Sequence, residues 1–127
     1  MKSKTYLGYY FNPNHNFQSG AVIFWKDDNK ITVGMLQSAL DYALDILANE
    51  DNNLERIKTT ITVLKFLKVV LSNKKMHKPS KEDFKTTLDV ITEIANKDTT
   101  DEKKKQKNKD MCFCCKLMID LNYREND

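Results

Sequence analysis

AVIFWKDDNKITVGMLQSALDYALDILA, residues 21–48, contains the change of period on which the fold turns. Its first five residues are a β-branched and aromatic run closed by the polar cluster KDDNK (26–30), the pattern of a strand ending in a turn. From Val33 the period is helical. Val33, Leu36, Leu40, Ala43, Leu44 and Leu47 fall in one stripe about 100° wide, widened by Met35, Ala39, Tyr42 and Ile46, while Gln37, Asp41 and Asp45 hold the other face. Residues 31–33 are read either as a short third strand or as the entry to this helix, with Thr32 as its cap.

Upstream, residues 5–11 (TYLGYYF) form a second strand-like run, so a hairpin is expected. Its connection, residues 12–20 (NPNHNFQSG), has nine residues against the usual two to five, which marks it as mobile or functional. Downstream, after NEDNN (49–53), the spacing predicts a second helix over 54–72. Its apolar positions, from Leu54 and Ile57 to Val70 and Leu71, cover all but a narrow polar strip at Glu55, Lys58, Thr62 and Lys65, which makes it the expected central helix. Ser80 followed by Asp83 resembles a capping box and opens a third helix packed through Phe84, Leu88, Ile91, Ile94 and Ala95. Residues 97–110 (KDTTDEKKKQKNKD) contain no apolar side chain and are a charged linker or the exposed start of a fourth helix capped by Thr100. The last apolar stripe is Met111, Cys114, Cys115, Met118 and Leu121.

The expected fold is α+β: a small N-terminal antiparallel β-hairpin or three-stranded sheet packed on a bundle of about four α-helices. At 127 residues there is room for a single domain, divided into a β-rich part (1–33), a helical core (34–96), the charged stretch (97–110) and a C-terminal helix (111–123). Hydrophobic residues at 40% and charged residues at 31% place the chain among globular proteins, outside the fibrous and strongly disordered classes. No apolar run approaches the roughly 20 residues of a membrane span, and the opening MKSKTYLGYY lacks the apolar stretch of a secretory signal, so a cytoplasmic or host-cell-interior setting is expected.

Charge is divided along the chain. Residues 1–55 carry four lysines against seven carboxylates, residues 56–109 carry fifteen cations against seven carboxylates, and residues 110–127 carry two against four; the balances −3, +8 and −2 add to the net +3. Nineteen of the 21 cations are lysine, which argues mildly against the bidentate readout of phosphate or guanine that arginine favours. Lys74, Lys75 and Lys78, followed by the lysines of 103–109, form a surface for an acidic partner or for phosphates, or else a solvated face; five interspersed acids favour the latter.

Seven of the twelve aromatic residues lie in the first 25 positions. Either they cover the helices, or exposed rings such as Tyr9 and Trp25 grip a partner side chain or stack a base. Alternation along the strands favours the covering role for most of them. The amide and imidazole side chains of Asn12, Asn14, His15 and Asn16 make the long loop the second candidate surface, since ordering such a loop is costly unless something uses it.

Chemistry is weakly represented. Cys112, Cys114 and Cys115 sit within four positions with no second cluster to pair with, in a spacing unlike a zinc knuckle, and Cys114 and Cys115 share the apolar stripe of Met111 and Met118. They are therefore expected as structural thiols, with Cys112 about 60° outside the stripe. His15 and His77 have no nucleophile in a recognised arrangement, Asp41 and Asp45 read as solvated carboxylates, and the three glycines build no phosphate loop. No catalytic residue, metal site or cofactor is assigned. The expectation is a non-enzymatic binding protein, a small inhibitor or adaptor that engages another protein; a phage- or virus-encoded regulator would fit the size, although no motif carries that source. The alternative is a nucleic-acid or nucleotide binder using the aromatic sheet and the lysines. A second copy of the chain is a further candidate partner, and a membrane is disfavoured.

Overall fold

Thr32 sits where the period changes, in extended backbone, and its hydroxyl accepts from the Met35 N–H at 3.2 Å, satisfying one of the free donors of the first helical turn. In the computed structural model, which describes residues 4–50 and 54–124, four strands precede this cap and four helices follow it. The strands are β1 (Thr5–Tyr6), β2 (Tyr9–Phe11), β3 (Val22–Lys26) and β4 (Asn29–Thr32), and the helices are α1 (Val33–Ala48), α2 (Glu55–Leu71), α3 (Lys81–Ala95) and α4 (Glu102–Arg124). The class is α+β, with a four-stranded antiparallel sheet in the order β1-β2-β3-β4.

The sheet has more strands than the hairpin or three-stranded sheet expected, because residues 5–11 are not one strand. Leu7 and Gly8 both take positive φ, 50° and 84°, and turn the chain between Tyr6 and Tyr9; two such residues in succession are what a two-residue type I′ hairpin turn requires. Gly8 serves that role by its freedom at positive φ, whereas Leu7 adopts it against its preference. The second turn, at Asp27 and Asp28, likewise begins with a positive φ at Asp27.

Sheet register sorts the aromatic residues. One row, Phe11, Phe24 and Ile31, faces the helices, and Tyr6, Phe11 and Phe24 form an edge-on and tilted cluster with ring centroids 5.8–6.2 Å apart. A register shift between Val22 and Phe24 lets Ile23 and Phe24, adjacent in sequence, both be buried. Tyr9 packs on Phe113 of α4 at 5.2 Å. The chain is tied at its far end by Arg124, whose guanidinium donates to the Thr5 carbonyl at 2.8 Å and lies over the Tyr6 ring.

Below the sheet the helices share one hydrophobic core. The periodicity places α2 correctly, but its central position belongs to α4. Between Met111 and Asn122, α4 is buried on most sides and packs against both α1 and α3, whereas α2 meets α1 and α3 and keeps Lys58, Thr62, Lys65 and Lys68 exposed. Leu54, expected in the core of α2, is instead its N-cap and is 49% exposed. The charged stretch divides at Asp101, whose carboxylate accepts from the backbone N–H groups of Lys103 and Lys104 at 3.0 and 3.3 Å. Asp101 and not Thr100 therefore caps α4, and residues 102–110 are its first turns. Ser80 caps α3 through the Asp83 N–H as its spacing suggests.

Among the described residues, solvent-accessible ion pairs join Asp41 with Lys68 at 2.6 Å, Arg56 with Glu93 at 2.8 Å and, just beyond the ends of α1 and α3, Glu50 with Lys97 at 2.6 Å. At such exposure each contributes little. Among the described residues, four buried polar side chains find partners: Thr60 and Thr87 donate to the carbonyls four residues before them, Asn122 donates to the Met118 carbonyl at 2.8 Å, and Asn108 accepts from the Tyr42 hydroxyl of α1 at 2.6 Å.

Candidate functional site

The outer face of the sheet carries the row Thr5, Tyr10, Trp25 and Lys30, one residue from each strand, directly opposite one another. All four are exposed, because alternation sends them away from the helices that receive Phe11, Phe24 and Ile31. Tyr10 and Trp25, 42% and 37% exposed, stack with centroids 5.6 Å apart and planes 29° apart. Leu7, at the tip of the β1–β2 turn, is also exposed but borders a cavity with Leu88 of α3 and Ile119 and Tyr123 of α4. The charges beside the pair are mixed: Lys26 and Lys30 are offset by Asp27 and Asp28 in the adjoining turn.

Of the residues singled out from the sequence, Trp25 lies on this face and Tyr9 does not. Tyr9 is half-buried on the inner side against Phe113, and its neighbour Tyr10 takes the outward position. The sequence signal was available in the alternation of Tyr9, Tyr10 and Phe11, but which phase faces inward is fixed only by pairing with β3.

The long loop is held by its own side chains. Asn12 donates from Nδ2 to the Val22 carbonyl at 3.0 Å and accepts at Oδ1 from the Asn14 N–H at 3.0 Å, an Asx-turn. Asn16 Oδ1 accepts from the Gln18 N–H at 3.3 Å. The His15 ring lies between Phe11 and Phe17, centroids 5.6 and 4.1 Å away, with Nδ1 2.8 Å from the Asn12 carbonyl. Nε2 is buried with no hydrogen-bond partner in the structure, at a cavity of about 220 Å³ lined also by Ile23, Val70 and Met118. Asn12, Asn16 and His15 are thus engaged within the loop, and the cost of ordering it is met from inside the chain. Asn14 remains an exposed side chain.

The lysines form no single surface with the aromatic pair. Lys74 and Lys75 are exposed and Lys78 half-buried in the segment between α2 and α3. Lys107 stands seventeen residues before Arg124, which touches β1, or about 25 Å along α4 at 1.5 Å per residue.

All three cysteines are buried, including Cys112, which the stripe of α4 had placed outside. Burial raises the Cys114 thiol pKa to about 11, with Asp110 adding to the effect, and burial pushes Cys115 further in the same direction. Among the described residues no three His, Cys, Asp or Glu side chains gather as metal ligands, and no helix is long and apolar enough to cross a membrane.

Comparison with protein-family models, with curated proteins and with solved structures finds no match to this chain.

Proposed function

We propose that the protein is a non-enzymatic binding protein, a small inhibitor or adaptor of the cytoplasm or a host-cell interior, that engages another protein through the outer face of its sheet. The observation that carries this reading is the stacked Tyr10 and Trp25 pair at the centre of that face, with the other face of the same strands turned to the helices. Large rings already held against each other lose little further freedom on binding, and Tyr and Trp are the residues on which binding energy most often concentrates. The offsetting charges of Lys26, Lys30, Asp27 and Asp28 suit a protein surface of mixed polarity better than a run of phosphates. Three buried thiols on one helix suit a reducing compartment.

One observation favours a second reading, single-stranded nucleic acid: stacked rings on an antiparallel sheet face, with Lys30 next in the row, are what a base-stacking platform uses.

Both are tested with the tagged full chain as bait in extract of its native cell, wild type beside Tyr10→Ala/Trp25→Ala and beside Lys74→Glu/Lys75→Glu/Lys78→Glu. A protein recovered with the wild type and the lysine variant, and lost with the ring variant, is the expected result; with that partner purified, the ring variant should bind at least thirtyfold more weakly, about 2 kcal/mol. Equal recovery by the ring variant would refute the sheet face as the site. Salt-dependent polarisation of a labelled oligothymidine that requires Trp25 would move the assignment to nucleic acid.

A further inference from the structure

Helices α1 and α4 pack antiparallel, since Met35 and Ala39 face Met111 and Cys114, Tyr42 meets Asn108, and Ile46 lies near Lys104. Between the first half of α1 and the middle of α4 their surfaces leave a cleft of about 600 Å³. That is within the roughly 300 to 1,000 Å³ of small-molecule sites. Its walls are mainly apolar, from Met35, Ala39, Tyr42, Met111 and Cys114. Two of the chain's three glycines border it, and their missing side chains help shape it. At Gly34 a Cβ would stand 2.8 Å from the Ser19 carbonyl oxygen, which approaches closely enough to accept from the Gly34 N–H at 2.7 Å. At Gly20 a Cβ would meet open space.

The charge at its mouth is specific. The Lys107 ammonium lies 4.3 Å from the centroid of the Tyr42 ring, and among the described residues no carboxylate is within ion-pairing distance of it. The ring orients the amine without neutralising it. Asp110, on the same lip, already accepts from the Gln106 side-chain amide at 2.9 Å. Lys103 lies one turn before Lys107 on the same helix and adds positive potential. From Lys107 to Cys114, seven residues of helix give the cleft a length of about 10 Å, the reach of a medium-length alkyl chain.

We infer that this cleft binds a medium-chain aliphatic carboxylate, its head ion-paired with Lys107 and its chain laid along Met35, Ala39 and Met111 towards Cys114. An apolar trough supplies affinity in proportion to the chain buried, and a single cation at one end fixes the direction of entry. The site is independent of the sheet face, so either assignment can fail without the other.

The test is calorimetric titration of the full chain with decanoate, decanol and decylamine below their aggregation limits, repeated with Lys107→Met, which keeps the aliphatic stem, and with Ser38→Trp, which puts a large ring at the exposed edge of the cleft. The expected result is saturable one-to-one binding of decanoate, at least tenfold weaker for decanol and for Lys107→Met, and lost in Ser38→Trp while its circular dichroism and melting remain those of the wild type. Should Ser38→Trp not fold, chemical-shift changes confined to Met35, Ala39 and Met111 in the wild-type protein locate the site instead. No saturable binding of decanoate, undiminished binding by Lys107→Met, shifts elsewhere in the molecule, or a preference for decylamine would overturn the inference.

Discussion

Gly34 offers the sharpest test of how the sheet is joined to the helices. Replacing it with alanine in the first turn of α1 should, by helix propensity alone, stabilise the protein by up to about 1 kcal/mol. The structure opposes this, because the new Cβ would stand 2.8 Å from the Ser19 carbonyl oxygen, a backbone atom that cannot rotate away. Relieving the contact means moving residues 18–20 off α1, which stretches the 2.7 Å hydrogen bond from the Gly34 N–H and strains the neighbouring one from Val33 N–H to the Ala21 carbonyl at 2.8 Å. Overpacking of this kind costs roughly 1 to 3 kcal/mol and a weakened hydrogen bond about 1 more. Set against the propensity gain, Gly34→Ala should lose about 1 to 3 kcal/mol. With a urea m-value of about 2 kcal/mol/M, the midpoint falls by roughly 0.5 to 1.5 M. Gly20→Ala is the control, since its Cβ meets nothing within 4 Å and its φ is not positive; it should be neutral or stabilising by up to about 1 kcal/mol. The measurement is urea unfolding of both variants followed by circular dichroism. A Gly34→Ala protein as stable as the wild type, or more so, would refute the close approach of residues 18–20 to the start of α1.

Other expectations follow from burial and from the loop. Leu64 and Leu67 are fully buried in α2, so either change to alanine should cost about 2 to 5 kcal/mol in denaturant melts, and a loss under about 0.5 kcal/mol at both would contradict their packing. Asn12→Ala removes two hydrogen bonds that shape the long loop and should cost about 1 to 3 kcal/mol, with faster proteolysis within residues 12–20; unchanged stability and cleavage would mean the loop is ordered by other contacts. Cys112, Cys114 and Cys115 should all resist a thiol reagent until the protein is unfolded, contrary to the faster reaction of Cys112 that helical spacing suggests. The Cys114 and Cys115 pKa values are raised on folding, so the native protein holds both thiol protons more tightly and their contribution to stability is fully present below the unfolded thiol value near 8.5. As pH rises from there towards 11, the unfolded chain loses these protons first and stability should fall, by at most about 1.4 kcal/mol per pH unit for each thiol. Melting temperatures that stay level over this window in the wild type, or fall equally in a Cys114→Ala/Cys115→Ala variant, would contradict that origin.

What the sequence determined by itself is local. The switch from strand-like runs to a 3.6-residue period at Val33, the Thr32 and Ser80 caps, the bounds of α1, α2 and α3 and the α+β class are all fixed by contacts within a few residues, which spacing reports directly. Even there, a four-residue bend escaped it: Leu7 is a poor residue for positive φ, so the turn that divides residues 5–11 carries half of its usual Asn-Gly signature. Tertiary structure decided everything that depends on which surfaces meet. Pairing with β3 chose Tyr10 over Tyr9 as the outward ring, and packing against both α1 and α3 made α4 the most enclosed helix although its first turns are wholly polar. Cys112 became buried on a face that the stripe of α4 had left outside, and the Ser19 backbone borders the cleft beside Lys107 because Gly34 admits it. Periodicity states how many faces of an element are apolar; which neighbour covers each face, and which is left to solvent, is set by long-range contacts that spacing along the chain does not encode.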